Sequence, residues 1–144
     1  MGSATMGKVL VTAKIENLKD LYLASRKKTK RSKVRSIEVT DALVDSGATT
    51  LSMPNRLIDQ LGLDRMGARR MRTAGGPREV PLYEAARLTL HGRYCITDVM
   101  ELPDNCPVLI GQVPLELMDF VIDPKGQRLI GNPEHGGKWM LDQF

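Results

Sequence analysis

Apolar and polar residues alternate through most of this chain with the two-residue period of strands on a half-buried sheet. Lys8 to Ile15 alternates and is rich in Val and Ile, which predicts a first strand. Leu21 to Ala24 reads as a short second strand. Val34 to Val44 reads as a long one that closes on the apolar run Ala42-Leu43-Val44. Thr49 to Met53 is predicted to be extended. Pro54 to Leu61 is the one predicted helix, because proline fits the first helical position and Gly62 the residue just past the end. Leu57, Ile58 and Leu61 share a face of that helix and should pack on the sheet.

The second half reads as hairpins. Arg69 to Thr73 and Arg78 to Tyr83 flank the glycine-rich tip Ala74-Gly75-Gly76-Pro77. Arg87 to Leu90 and Tyr94 to Leu102 flank His91-Gly92-Arg93. After a loop from Pro103 to Pro107, Val108-Leu109-Ile110 reads as a short apolar strand stopped by Gly111. Pro114 to Leu117 suits one helical turn, and Phe120 to Asp123 pairs with Gln127 to Ile130 across Pro124-Lys125-Gly126. The tail, 132–144, reads as loop with a last strand near Trp139 to Leu141, and Trp139 as a packing residue. Many short strands with one short helix predict an all-β barrel or sandwich, without internal repeats.

Composition narrows this to one folded domain. The 144 residues suffice for a single modest core. Aromatics are only 4%, so aliphatic side chains and eight methionines must fill it. No apolar run approaches the roughly 18 residues that span a bilayer, and no signal-peptide core follows the start. Met1 to Thr5 reads as a cloning scar (1–5), with the domain running over 6–144. Cys95 and Cys106 are too few for a disulfide framework, and with His91 and His135 they lack metal-site spacing. They are expected to be reduced thiols and surface or loop histidines, with no metal or cofactor, in a cytoplasmic protein.

The net charge of +4 belongs to one segment. Arg26, Lys27, Lys28, Lys30, Arg31, Lys33 and Arg35 crowd into the basic loop 26–35, and the rest carries 14 basic against 17 acidic residues. Such a run is ordinarily a solvated loop. Its functional alternative is an adaptor for nucleic acid or an anionic surface. No aromatic is interleaved with these cations, which speaks against nucleic acid as a partner.

The candidate chemistry lies at Ala42-Leu43-Val44-Asp45-Ser46-Gly47-Ala48, where an apolar strand delivers a single acid into a Ser-Gly turn. Hydrolysing an amide needs one group to take a proton from water and another to give one to the substrate. Two carboxylates sharing a proton do both. Gly47 lets backbone approach the acid, and its N–H can fix it. The Ser46 hydroxyl can brace two loops. No other Asp lies in an apolar-Asp-Ser/Thr-Gly context, so the economical second carboxylate is Asp45 of another copy, related by a twofold axis.

These motifs resemble the retropepsin-like (clan AA) aspartic proteases, most closely the small bacterial and cellular members. Asp45 to Ala48 matches the catalytic loop, with Ser46, Gly47 and Ala48 as its support. Thr73, Ala74, Gly75 and Gly76 match the tip of a substrate-binding flap, spanning about 69–83. Leu109, Ile110 and Gly111 match the second apolar-Gly element beneath that loop. The resemblance implies a closed, barrel-like β fold, a homodimer with its site on the twofold axis, a peptide or protein substrate, and an endopeptidase that activates water without metal.

Two positions depart from the viral pattern: Thr49 and Gln112 stand where viral members usually carry an Asp and an Arg. That ion pair is missing as a unit, so the dimer must be held differently. The alternative reading is a catalytically weak or inactive dimerisation or peptide-binding module. A serine nucleophile at Ser46 lacks the Gly-x-Ser-x-Gly elbow and a placed histidine base.

Overall fold

The computed structural model of the chain describes residues 8–143; the expected scar at Met1 to Thr5 lies outside them. Strands β1 (Val9–Asn17), β2 (Ser36–Val44), β3 (Leu51–Pro54), β4 (Asp64–Thr73), β5 (Gly76–Leu90), β6 (Arg93–Leu102) and β7 (Leu109–Ile110) form one sheet in the order β1-β2-β7-β3-β6-β5-β4. β1 also pairs with β5, Ile15 opposite Leu88, so the sheet closes into a ring from which β4 projects. Strands β8 (Phe120–Asp123) and β9 (Arg128–Gly131) make a separate hairpin. The fold is mostly β and ring-like, as the sequence predicts.

Alternation explains the ring's interior. Along β1, Val9, Val11, Ala13 and Ile15 are buried while Leu10, Thr12 and Lys14 face out. With Leu51, Met53, Leu88, Val99 and Ile110 they form one aliphatic core. Closure pairs both edges of the ring strands and leaves β4 as the edge of this sheet.

The sequence reading needs four corrections. Leu21 to Ala24 is not a strand but part of helix α1 (Leu18–Ser25). Asn17 caps it: its side-chain oxygen accepts the Asp20 N–H at 3.0 Å, while its amide donates to the buried Leu61 carbonyl at 2.8 Å. The Asn-x-x-Asp signal was available, and a four-residue apolar window missed it. Second, there are three α-helices among the described residues: α1, α2 (Asn55–Leu61) and α3 (Gln112–Leu117), the last extending the helical turn expected at Pro114 to Leu117. Pro54 is the cap of α2 instead of its first residue. Gly62 ends α2 in the left-handed region at φ 65°, where a side chain would also strike the Arg35 guanidinium. Third, Arg78 to Tyr83 and Arg87 to Leu90 are one 15-residue strand, β5, and its hairpin with β4 reaches back to Asp64. Fourth, Trp139 to Leu141 is not a strand; the tail is irregular apart from a short turn at Pro133–His135.

The basic loop is partly committed to the fold. Arg35 makes a bidentate pair with Asp20, at 2.8 and 2.9 Å, and its guanidinium holds the Asp20 carboxyl below the usual range. Arg31 lies 3.8 Å from the buried Glu16, and Arg26 sits over the Tyr22 ring. The other cations of the loop, Lys27, Lys28, Lys30 and Lys33, are exposed.

The tail is tied down by His135, one of the two histidines expected on the surface or in a loop; it lies in the irregular tail but not on its surface. His135 is mostly buried, and its Nδ1 lies 2.7 Å from Oδ2 of the buried Asp119. The same oxygen accepts the Met140 N–H at 3.1 Å, and Asn132 binds Oδ1. Burial pushes the Asp119 carboxyl up, but hydrogen bonds from His135, Met140 and Asn132 outweigh it and hold it low. The bond to Asp119 raises His135. A raised histidine contributes its stability fully below its ordinary value of 6.5 and loses it as pH climbs through the folded value. The lowered carboxyl contributes above its ordinary 3.8 and loses that as pH falls through the folded value. The pair therefore anchors the tail best between these ordinary values. His135→Gln should lower the thermal midpoint clearly at about pH 5.5 and much less at about pH 9. Equal losses at both would contradict the pairing.

Candidate active site

Asp45 follows the last residue of β2, and its position is set by backbone. β2 runs parallel to β7, with Val44 opposite Ile110, and the Asp45 N–H donates to the Ile110 carbonyl at 3.0 Å. The chain then turns: the Ala48 N–H donates to the Asp45 carbonyl at 3.0 Å, and the Gly47 N–H to Asp45 Oδ1 at 2.9 Å. A side chain at Gly47 would stand 3.2 Å from that oxygen, so glycine keeps the carboxylate uncrowded.

The turn is fastened from the other side by residues 111–113. The N–H groups of Gly111, Gln112 and Val113 donate to the carbonyls of Thr50, Ala48 and Thr49, at 3.0, 2.8 and 2.9 Å. This also satisfies donors that the start of α3 would leave unpaired. The approach is so close that a Cβ on Gly111 would lie 2.6 Å from the Ala48 carbonyl oxygen.

Asp45 opens into a cleft of about 620 Å³. Gly47, Ala48, Thr49, Thr50 and Ser52 line it beside Asp45. Met71 to Gly75 with Arg78 and Val80 line it from the β4–β5 hairpin, and Met100 to Pro103, Cys106 and Leu109 from the far wall. The structure thus brings Asp45, Gly47, Ala48, Thr73, Ala74, Gly75 and Leu109 to one cavity. Gly76 stands outside it, its carbonyl accepting the Thr73 hydroxyl at 2.7 Å. Ile110 is fully buried. Ser46 faces a separate hollow of about 230 Å³ beside Gln112 and Phe120. Its hydroxyl makes no hydrogen bond among the described residues, so the brace expected of it is not formed within the chain. The Gln112 side chain bonds Glu116 of α3 at 2.9 Å.

Sequence reasoning missed Glu101, Tyr83 and Asn55. Glu101 lines the cleft, and its Oε1 accepts both the Tyr83 hydroxyl and the Asn55 amide at 2.9 Å. Burial first, then the bond to Glu101 and its charge, push the Tyr83 phenol above its ordinary value. Nothing in the strand pattern marks Glu101, because the contact joins three segments far apart in sequence. Cys95 is buried, which pushes its thiol up to about 11, while Cys106 lies in the cleft wall. A second cavity, about 630 Å³, lies between α1 and β5–β6, and Asp45 is not part of its lining. Among the described residues no three His, Cys, Asp or Glu side chains converge, and no helix is long and apolar enough to cross a membrane.

The family model of aspartyl proteases matches residues 23–124, well over half of the sequence. The chain belongs to the aspartyl protease family. The matched span takes in the Asp45 turn, the β4–β5 hairpin and Gly111. Among solved structures, the EIAV protease complexed with the inhibitor HBY-793 is 20% identical, with a TM-score of 0.44 over 53% of this chain and 73% of that one. The Simian Foamy Virus (mac) protease is 16% identical, with a TM-score of 0.45 over 74% of this chain and 90% of that one. No curated protein matches the chain.

In this aspartyl protease the contact at Gly111 holds the Asp45 turn in place. Gly111→Ala is expected to cost about 1–3 kcal/mol in urea unfolding, since the obstructing atoms are backbone. Gly75→Ala, whose added methyl meets nothing closer than 3.9 Å, should change stability by less than about 0.5 kcal/mol. A Gly111→Ala protein as stable as the parent would show that the turn gives way easily.

Proposed function

We propose that this aspartyl protease is an endopeptidase that works as a homodimer, with Asp45 of each chain forming one dyad. The observation that carries this is the isolation of Asp45. The other carboxylate in its cleft, Glu101, sits on β6, separated from β2 by β7 and β3, and its hydrogen bonds go to Asn55 and Tyr83 and not to Asp45. A second Asp45 on a twofold axis supplies the missing partner. Apolar surface beside the turn supports a second copy: Val113 and Leu117 on α3 are exposed, as are Trp139, Met140 and Leu141, and the Trp139 indole N–H donates to the Leu117 carbonyl.

In this reading the two carboxylates hold one proton between them. The ionised one takes a proton from a water, which attacks the peptide carbonyl. The protonated one donates to the carbonyl oxygen. As the intermediate collapses, the carboxyl that took the water's proton gives it to the leaving nitrogen, and the other takes a proton back from a hydroxyl of the intermediate, which restores the one shared proton. The β4–β5 hairpin acts as a flap whose Ala74-Gly75 tip closes over the peptide and excludes water. The cytoplasm remains the proposed compartment, on the cysteine count alone.

Digestion of a mixed peptide pool, profiled by mass spectrometry, should show cleavage that is best at acidic to mildly acidic pH. Asp45→Asn should reduce it by at least about a hundredfold. Equal cleavage by both proteins would end this reading. Peptide binding with no cleavage by either would leave only a peptide-binding module.

A further inference from the structure

Glu101 is an acid in the cleft that the hydrolytic chemistry does not use. One of its oxygens is fixed by two neutral donors, Asn55 at the start of α2 and Tyr83 on β5. No cation lies within ion-pair distance of it among the described residues, and its second oxygen makes no hydrogen bond there. The side chain is only half-buried and forms part of the cleft wall. A carboxylate held at one oxygen by neutral donors leaves its other oxygen open to a partner from outside.

The cleft's own cations, Arg72 and Arg78, stand on the β4–β5 hairpin toward its tip, and neither forms an ion pair with Glu101. The cleft is therefore polarised, negative at the Glu101 end and positive under the hairpin tip. Between the two lie mainly apolar groups, Met71, Val80, Met100 and Leu109, in whose company an ionic contact is less screened than in water.

We infer that Glu101 is a specificity-determining residue that selects peptides carrying a lysine or arginine side chain near the bond to be cut. This rests on the peptide-cleaving reading of the same cleft. Strands β7 and β3 stand between Glu101 and the strand that carries Asp45, so the basic residue falls a few positions from the scissile bond and not next to it. Oε2 accepts its ammonium or guanidinium while Asn55 and Tyr83 hold the carboxylate still. The Tyr83 phenol, raised by burial first and then by this neighbour, stays protonated and donating throughout the neutral range.

The test measures peptide affinity on the Asp45→Asn chain, so that binding is read without cleavage. The probes are fluorescent peptides of eight residues or so in which lysine, norleucine or glutamate is scanned through each position. At one position the lysine peptide should bind roughly tenfold tighter than its norleucine twin. Adding Glu101→Gln, which keeps an acceptor for Asn55 and Tyr83, should erase that ratio. Glu101→Lys should reverse it toward the glutamate peptide. Should the glutamine variant not fold, Glu101→Asp keeps the charge but draws it back by one methylene, and should shrink the ratio without abolishing it. A purely structural Glu101 would weaken all three peptides alike, leaving the ratio unmoved, and that result overturns the inference. So does equal affinity for lysine and norleucine peptides at every position. A chain that shows the Glu101-dependent ratio but cleaves nothing with Asp45 intact contradicts the proposed hydrolysis and not this assignment.

Discussion

Between the turn at Asp45 and the residues that open α3, two pieces of backbone meet with no side chain between them. The carbonyls of Ala48, Thr49 and Thr50 each receive an N–H from residues 111–113, and Gly111 leaves the space that this requires. The rest of the ring serves this contact. β2 carries Asp45 in, β7 runs beside it in parallel, and Ile110 at the end of β7 is fully buried and anchors the pair in the core. Backbone hydrogen bonds fix the acid more narrowly than flexible side chains could, because they are set by the register of the sheet. Positioning of this kind is then a property of the fold.

The same ring gives the cleft two chemically different walls. β5 and β6 rise on one side, with Glu101 fixed at the junction of three segments. The β4–β5 hairpin projects on the other, with Arg78 and the small residues of its tip. β4 pairs with β5 alone, so its outer edge is free of further strands. An element bound to the sheet along one edge is the natural candidate to move. The fixed acid and the free hairpin are thus the two ends at which the proposed recognition and closure would act.

Much of this was legible in the sequence because period-two alternation is a local signal. β1, β6 and the closing strand into Asp45 follow from it directly, and the Ser-Gly turn and Leu109-Ile110-Gly111 mark the two halves of the contact. What was not legible depended on contacts across the chain. Leu21 to Ala24 looks extended until Asn17 is seen capping a helix and bonding Leu61. His135 looks exposed until Asp119 is seen buried beside it. Glu101 ends an amphipathic strand like any surface acid until Asn55 and Tyr83 converge on it. The unbroken length of β5 was hidden because the Glu84-Ala85-Ala86 stretch carries no strong strand former.

The central claim is that one chain holds half of the catalytic pair. Its most direct test is specific peptidase activity as a function of protein concentration, with mass measured on the same samples. Activity per chain should be close to zero where the protein is monomeric and rise to a plateau as the dimer forms. Activity per chain that stays constant down to concentrations where only monomer is present would contradict the account, because a lone Asp45 would then suffice.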